Sequence, residues 1–193
     1  MPASARILAF AGSTRAGSFN KKLITLAAAA AREAGAEVTQ IDLRDFPLPL
    51  FDADLEAAEG LPANGRRLKD LFLAHEALMI ASPEYNSGYS AVLKNTIDWV
   101  SRPAKGEAPL GCFSGKPGLL MSASPGALGG LRGLIQLRLL LSNIGVLVLP
   151  EQLAIPKADA AFAADGTLTD AAARDRLRAM TARLADIARR LRA

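Results

Sequence analysis

The sequence predicts an α/β fold: a doubly wound, five-stranded parallel sheet of order 2-1-3-4-5, with helices on both faces, formed by residues 1–193 as a single domain. Three observations predict it. Five short runs that read as buried strands alternate with helical segments, and strict alternation calls for a parallel sheet covered on both sides. No repeat or composition break divides the 193 residues. The chain is 50% hydrophobic and 22% charged, enough apolar material for one domain to bury about 70% of its unfolded surface.

The elements follow in order. Arg6–Ser13 is an apolar run ending in Gly-Ser, consistent with a buried strand. Asn20–Ala34 is rich in Ala and Leu and stops before Gly35, a helix with a glycine terminator. Glu37–Leu43 reads as a second strand. Phe46–Phe51 is a loop, because Pro47 and Pro49 resist both a helix and a central strand. A polar helix covers about Ala63–His75. Ala77–Ser82 is a third strand stopped by Pro83, and Ser90–Ser101 is a helix ending before Pro103. After a Gly/Pro loop from Gly106 to Pro117 come a fourth strand, Gly118–Ser124, and a helix from about Gly130 to Asn143. Val146–Leu149 is the fifth strand, with a tail to Pro156, and Leu168–Leu191 is the last helix, entered through Thr169-Asp170.

Composition removes several classes of chemistry. One Cys (Cys112) and one His (His75) cannot supply the three or four ligands of a structural zinc site, nor any disulfide. No metal site is expected, and the chain reads as cytoplasmic. His75 lies at the end of a helical pattern, where it faces the negative end of the helix dipole; Cys112 reads as a small semi-buried hydrophobe. The longest uncharged stretch, Pro117–Leu131, has two prolines and four glycines and falls short of the ~18–20 apolar residues of a membrane helix. The N-terminus lacks the apolar length of a signal peptide. The net charge is +4, most of it on residues 165–193, where acids and arginines intersperse as on a solvated helix face. Neither nucleic acid nor membrane is an expected partner.

In a sheet of this order, ligands sit beyond the carboxyl ends of strands at the switch point, so the loops after strands 1, 3 and 4 draw the search for chemistry. The first, Gly12–Asn20, fails both the P-loop and the dinucleotide glycine patterns: Ser18 and Phe19 stand where a P-loop has Lys and Ser/Thr, and position 14 is Thr. What remains is a loop of hydroxyls and amides (Ser13, Thr14, Ser18, Asn20) with one guanidinium, Arg15, running into a helix N-terminus. Residues 1–32 hold five basic residues and no acidic one. That suits an anion, although a polar turn with an N-cap has the same composition. The second loop, Ser82–Gly88, sets Tyr85 beside Asn86 on a proline-stiffened segment, able to hold a flat ring. The third, Ser124–Gly130, has glycines at 126, 129 and 130, which let backbone approach a ligand closely.

Ser82-Pro83-Glu84-Tyr85-Asn86 followed by Leu93–Arg102 (LKNTIDWVSR) resembles the NADPH-dependent FMN reductase family of flavodoxin-like flavoproteins, which includes quinone, azo-dye and chromate reductases. Gly12-Ser13-x-Arg15-x-x-Ser18-x-Asn20 resembles its phosphate loop, and Gly126-x-x-Gly129-Gly130 its third flavin loop. The resemblance spans about residues 6–150; the tail beyond Pro156 carries no matching motif. It implies that Ser13, Arg15, Ser18, Phe19 and Asn20 wrap the phosphate and ribityl end of FMN, that Pro83, Glu84, Tyr85 and Asn86 line the isoalloxazine mostly through backbone, and that Ser124, Gly126 and Gly129 close the other side.

The implied reaction passes hydride from NADPH (or NADH) through FMN to a small acceptor: a quinone, free flavin, azo compound or chromate. Donor and acceptor would take turns in a ping-pong scheme. The flavin carries the redox chemistry, so no catalytic acid or base is assigned. The alternatives are a flavodoxin-type electron carrier, though that family is strongly acidic and this chain is basic, or a non-catalytic FMN-binding module. The resemblance also implies a homodimer or homotetramer. On the helix after the second loop, Leu93, Ile97 and Val100 should face the sheet, while the parallel stripe Val92, Thr96 and Trp99 suggests a contact with a second subunit.

Overall fold

The computed structural model describes residues 4–104 and 106–192 of the chain. Five parallel strands form one sheet in the order β2-β1-β3-β4-β5: β1 (Arg6–Ala11), β2 (Glu37–Asp42), β3 (Ala77–Ala81), β4 (Pro117–Ala123) and β5 (Leu147–Ile155). The predicted order and hand-over between strands 1 and 3 are those observed. The three central strands are buried almost throughout, and alternate residues feed two separate cores. Ile7, Ala9 and Met79 point to the face covered by α1 (Phe19–Glu33) and α7 (Ala171–Arg192). Leu8, Phe10 and Ile80 point to the face covered by α3 (Ala63–Ala74), α4 (Ala91–Ser101) and α5 (Leu131–Asn143). Each fully buried Leu, Ile or Phe contributes ~1.5–3 kcal/mol. The small residues Ala27, Ala28 and Ala31 on the buried face of α1 share the first core with Leu177, Leu184 and Ala188 of α7.

Several boundaries differ from the sequence reading, each for a physical reason. The fifth strand does not end at Leu149 but continues through the expected tail to Ile155. Gly118 pairs with Val148, yet Leu120 pairs with Gln152, so β5 bulges out by two extra residues around Pro150. A proline cannot donate to the ladder; the bulge absorbs it where a stop was expected. The short helix α2 (Ala53–Glu59) had no apolar stripe to reveal it, for none of its residues is buried. It starts because the Asp52 carboxylate accepts from the amides of Asp54 and Leu55. The segment before α7 contains one further turn of helix, α6 (Ala158–Ala161), and an antiparallel bridge between Phe162 and Leu168.

The largest correction concerns α4. Leu93, Ile97 and Val100 are buried in the second core as expected, but Trp99 is fully buried too. Its indole N–H donates to the Pro49 carbonyl at 2.8 Å, and its ring meets Phe51 edge-on at 5.0 Å between centroids. Asn95 fastens the same loop, donating to Pro49 O and accepting from the Phe51 amide, both at 2.8 Å. The wide apolar arc of α4 therefore exists because the proline loop of the same chain lies on it. It offers no free stripe for a second subunit.

His75 ends α3 as expected, with Nδ1 2.6 Å from Leu71 O and Nε2 2.7 Å from the Thr39 hydroxyl. Cys112 is buried, and that burial pushes its thiol pKa up. Among the described residues no helix is long and apolar enough to cross a membrane.

Candidate functional site

The carboxyl ends of β1, β3 and β4 lie side by side, and three side chains tie their loops together. From the start of α4, the Ser90 hydroxyl donates to Gly12 O at 2.6 Å and accepts from the Leu93 amide, capping its own helix while gripping the first loop. From α1, Asn20 Nδ2 donates to Ala123 O and Asn20 Oδ1 accepts from the Ala123 amide, both at 3.0 Å. From the second loop, the Glu84 carboxylate accepts from the Gly133 amide at 3.1 Å and from Arg132 Nε at 2.8 Å. The three loops form one connected rim.

The first loop presents hydrogen-bond donors and positive charge. Ser18 is the N-cap of α1, yet its side chain makes no capping bond, and no acidic residue lies in the first turn. The positive end of the helix dipole and its first amides are thus left to a ligand. Arg15 is exposed, and its side chain makes no hydrogen bond or ion pair among the described residues; its guanidinium stands 6.0 Å from the Phe19 ring centroid. The buried Ser13 hydroxyl accepts from the Arg15 amide at 3.3 Å and shapes the turn. The Phe19 ring stacks on Phe162 (6.1 Å, 8° between planes), with Lys22 Nζ 5.8 Å from the Phe19 centroid and 5.7 Å from that of Phe162. So the tail that matched no motif braces the back of this loop.

The second loop leaves β3 through Pro83 and turns tightly. Tyr85 and Gly88 exchange two backbone hydrogen bonds of 3.0 Å, with Asn86 (φ 50°) and Ser87 (φ 66°) both left-handed between them. This two-residue turn carries the Tyr85 ring outward, 58% exposed. In the third loop the Ser124 hydroxyl accepts from the Gly126 amide. Gly126 is open to solvent, but Gly129 and Gly130 are committed within the chain. A Cβ on Gly129 would stand 2.6 Å from the Ile155 carbonyl carbon, and one on Gly130 1.9 Å from Ser122 Oγ. Gly129 lets the loop cross the end of β5, and Gly130 lets it pack on Ser122 of β4.

Three contributors have no signal in the sequence. Arg44, just past β2, donates from Nε and Nη2 to Thr14 O at 3.0 and 2.5 Å and holds the crest of the first loop. Phe162 and Arg132 arrive from distant segments, and no local spacing announces either. A separate cavity of about 450 Å³ lies beyond β5, bordered by Leu153, Ile155, Lys157, Leu168 and Arg176. None of the three loops lines it.

Comparison with known proteins shows the chain's relatives. Residues 5–160 match the family described as NADPH-dependent FMN reductase. A Pseudomonas aeruginosa NAD(P)H-dependent FMN reductase is 38% identical over 193 residues, covering 97% of both chains. A quinone reductase of Escherichia coli K12 is 34% identical over 147 residues, 75% of this chain and 73% of its own. Among solved structures, the flavoenzyme NAD(P)H:(acceptor) oxidoreductase FerB of Paracoccus denitrificans superposes with a TM-score of 0.80 at 29% identity, covering 97% of this chain and 98% of that one. An archaeal flavodoxin, at 10% identity and a TM-score of 0.60, shares the fold.

Proposed function

Because the chain belongs to the NADPH-dependent FMN reductase family, we propose that this NAD(P)H-dependent, FMN-using oxidoreductase reduces a small acceptor such as a quinone by a ping-pong scheme at the three-loop rim. The observation that carries the site is the uncapped, acid-free N-terminus of α1 beside the unpaired Arg15. A phosphate needs amides and a fixed cation together, and this arrangement fits FMN.

In this reading Arg15 and the first-turn amides, with Ser13 and Ser18, hold the phosphate end. Phe19 and Asn20 set the position of those amides, Phe19 by stacking on Phe162 and Asn20 by pairing with Ala123. Pro83, Glu84, Tyr85 and Asn86 flank the ring, the exposed Tyr85 lying on its solvent side, and Ser124, Gly126 and Gly129 close the rim opposite. FMN, when bound, supplies hydride acceptance and electron donation. The protein's task is to bind, orient and leave one face open, so that donor and acceptor use it in turn.

We also assign a homodimer, with a different contact from the one the sequence suggested. Leu131, Ile135 and Leu139 form an exposed i, i+4, i+8 stripe along α5. Such an apolar stripe suits a second copy.

The test is direct. Purified protein should be yellow or become so with FMN, lose the colour anaerobically with NADPH, and regain it with a quinone. Initial rates should give parallel double-reciprocal lines. A colourless protein that binds no FMN would overturn the site; a yellow one indifferent to NADPH would overturn the reaction.

A further inference from the structure

Helix α5 begins without a cap of its own. Its N-cap is Gly130, which makes no side-chain capping bond, and its first turn has no acidic residue. Glu84, reaching across from the second loop, supplies what is missing. Oε2 accepts from the amide of Gly133, the third residue of the helix, and Oε1 pairs with Arg132 at 2.7–2.8 Å. The Glu84 side chain is 9% exposed, whereas that of Arg132 is 59% exposed. Gly133 makes the approach feasible: a Cβ there would lie 3.1 Å from Gly88 O and 3.2 Å from Glu84 Cβ. The second loop therefore rests on α5 at both of its ends, through Glu84 and Gly88, while Tyr85 between them stays exposed.

We propose that the Glu84 side chain is a positioning residue that caps α5 from the second loop, and so fixes the Pro83–Gly88 segment against the flavin and cancels positive charge beside it. The proposal rests on the FMN reading above and adds two roles to it. The first is mechanical. Without the carboxylate, the loop loses its side-chain tie to α5, and its backbone groups lose their fixed aim. The second is electrostatic. Removing the negative charge uncovers the positive end of α5 and the Arg132 guanidinium. Both favour a reduced flavin, which carries more negative charge than the oxidised one, so the midpoint potential should rise.

Two variants separate the roles. Glu84→Gln keeps an oxygen for the Gly133 amide but loses the charge. It should hold FMN within about twofold of the parent while its midpoint potential moves positive. Glu84→Ala loses both, and its apoprotein should exchange the Tyr85 and Gly88 amides faster and bind FMN roughly tenfold more weakly. Arg132→Ala should move the potential the opposite way. Apoprotein hydrogen exchange needs no flavin, and titrating the parent with FMN tests the functional reading by itself. Unchanged exchange and affinity in Glu84→Ala would overturn the mechanical role. An unchanged potential in Glu84→Gln would overturn the electrostatic one, and if Glu84→Ala fails to fold, Glu84→Gln and Arg132→Ala still decide it.

Discussion

Asn20 and Ala123, 103 positions apart in the chain, pair like two residues of neighbouring strands: each donates one hydrogen bond of 3.0 Å to the other. The Asn side-chain amide imitates a peptide group and adds one more rung at the end of β4, where the third loop departs. Both residues are buried. The start of α1 and the start of the third loop are thereby fixed relative to each other, and the amides proposed to bind the phosphate inherit that position.

Replacing Asn20 with Ala should leave the Ala123 N–H and C=O buried and unpaired. Each such group costs ~1–3 kcal/mol, so stability should fall by about 2–6 kcal/mol. Asn20→Asp should be destabilised too, because a carboxylate accepts from the Ala123 amide but faces the Ala123 carbonyl with no donor. Urea unfolding measures both. A loss in Asn20→Ala below about 0.5 kcal/mol, the ordinary range of surface changes, would show that the rung carries no weight.

Arg15 should behave in the opposite way. Its side chain is exposed and makes no hydrogen bond or ion pair among the described residues, so Arg15→Ala should unfold at the parental urea concentration. Affinity for FMN should drop by about 1.5–3 kcal/mol, the range for hydrogen bonds to charged groups. Titrating apoprotein followed by flavin fluorescence gives the number. Equal affinities in variant and parent would move the phosphate elsewhere.

The contrast between these two residues shows how far the sequence could be read. The strands were legible because β1, β3 and β4 are buried on both faces and must be apolar throughout. The three loops were legible because the strand order puts them together. Which residues of those loops also tie the chain to itself was not, because Asn20 and Gly129 read in one dimension only as loop residues. Only the folded chain reveals Ala123 beside the one and the end of β5 against the other. Trp99 carries the same lesson. A stripe of apolar residues reports that something covers it, and a loop 50 residues earlier did so.

Acid stability should depend on Glu107, at the base of the Gly/Pro loop. Lys69 and Arg66 of α3 and the Ala104 amide all bond its carboxylate, and together they lower its pKa to about 2. In the unfolded chain a Glu titrates near ~4.3. The folded form therefore holds the proton less readily, and the stability this confers is complete above that value. It is lost as pH falls from there through about 2. Glu107→Gln should be less stable than the parent at neutral pH, and its stability should fall less steeply across that acid window. Parallel curves of unfolding free energy against pH for the two proteins would contradict the assignment.

Association should respond to α5 and ignore Trp99. Leu139 and Ile135 are 69% and 54% exposed, and placing large aliphatic groups in water along one stripe is costly unless another surface covers them. Two copies meeting across a two-fold axis bring each stripe against its equivalent, so a single substitution acts twice. The parent should sediment as twice the 20.2 kDa chain or a multiple of that. Leu139→Glu sets two carboxylates against each other in the contact and should yield the single chain with its stability unchanged. Trp99→Phe removes the indole bond to Pro49 and should cost ~0.5–1.5 kcal/mol of stability while the assembly stays intact. If Trp99→Phe dissociated the assembly and Leu139→Glu did not, the contact would belong to α4 after all, and the proline loop would have to move aside to form it.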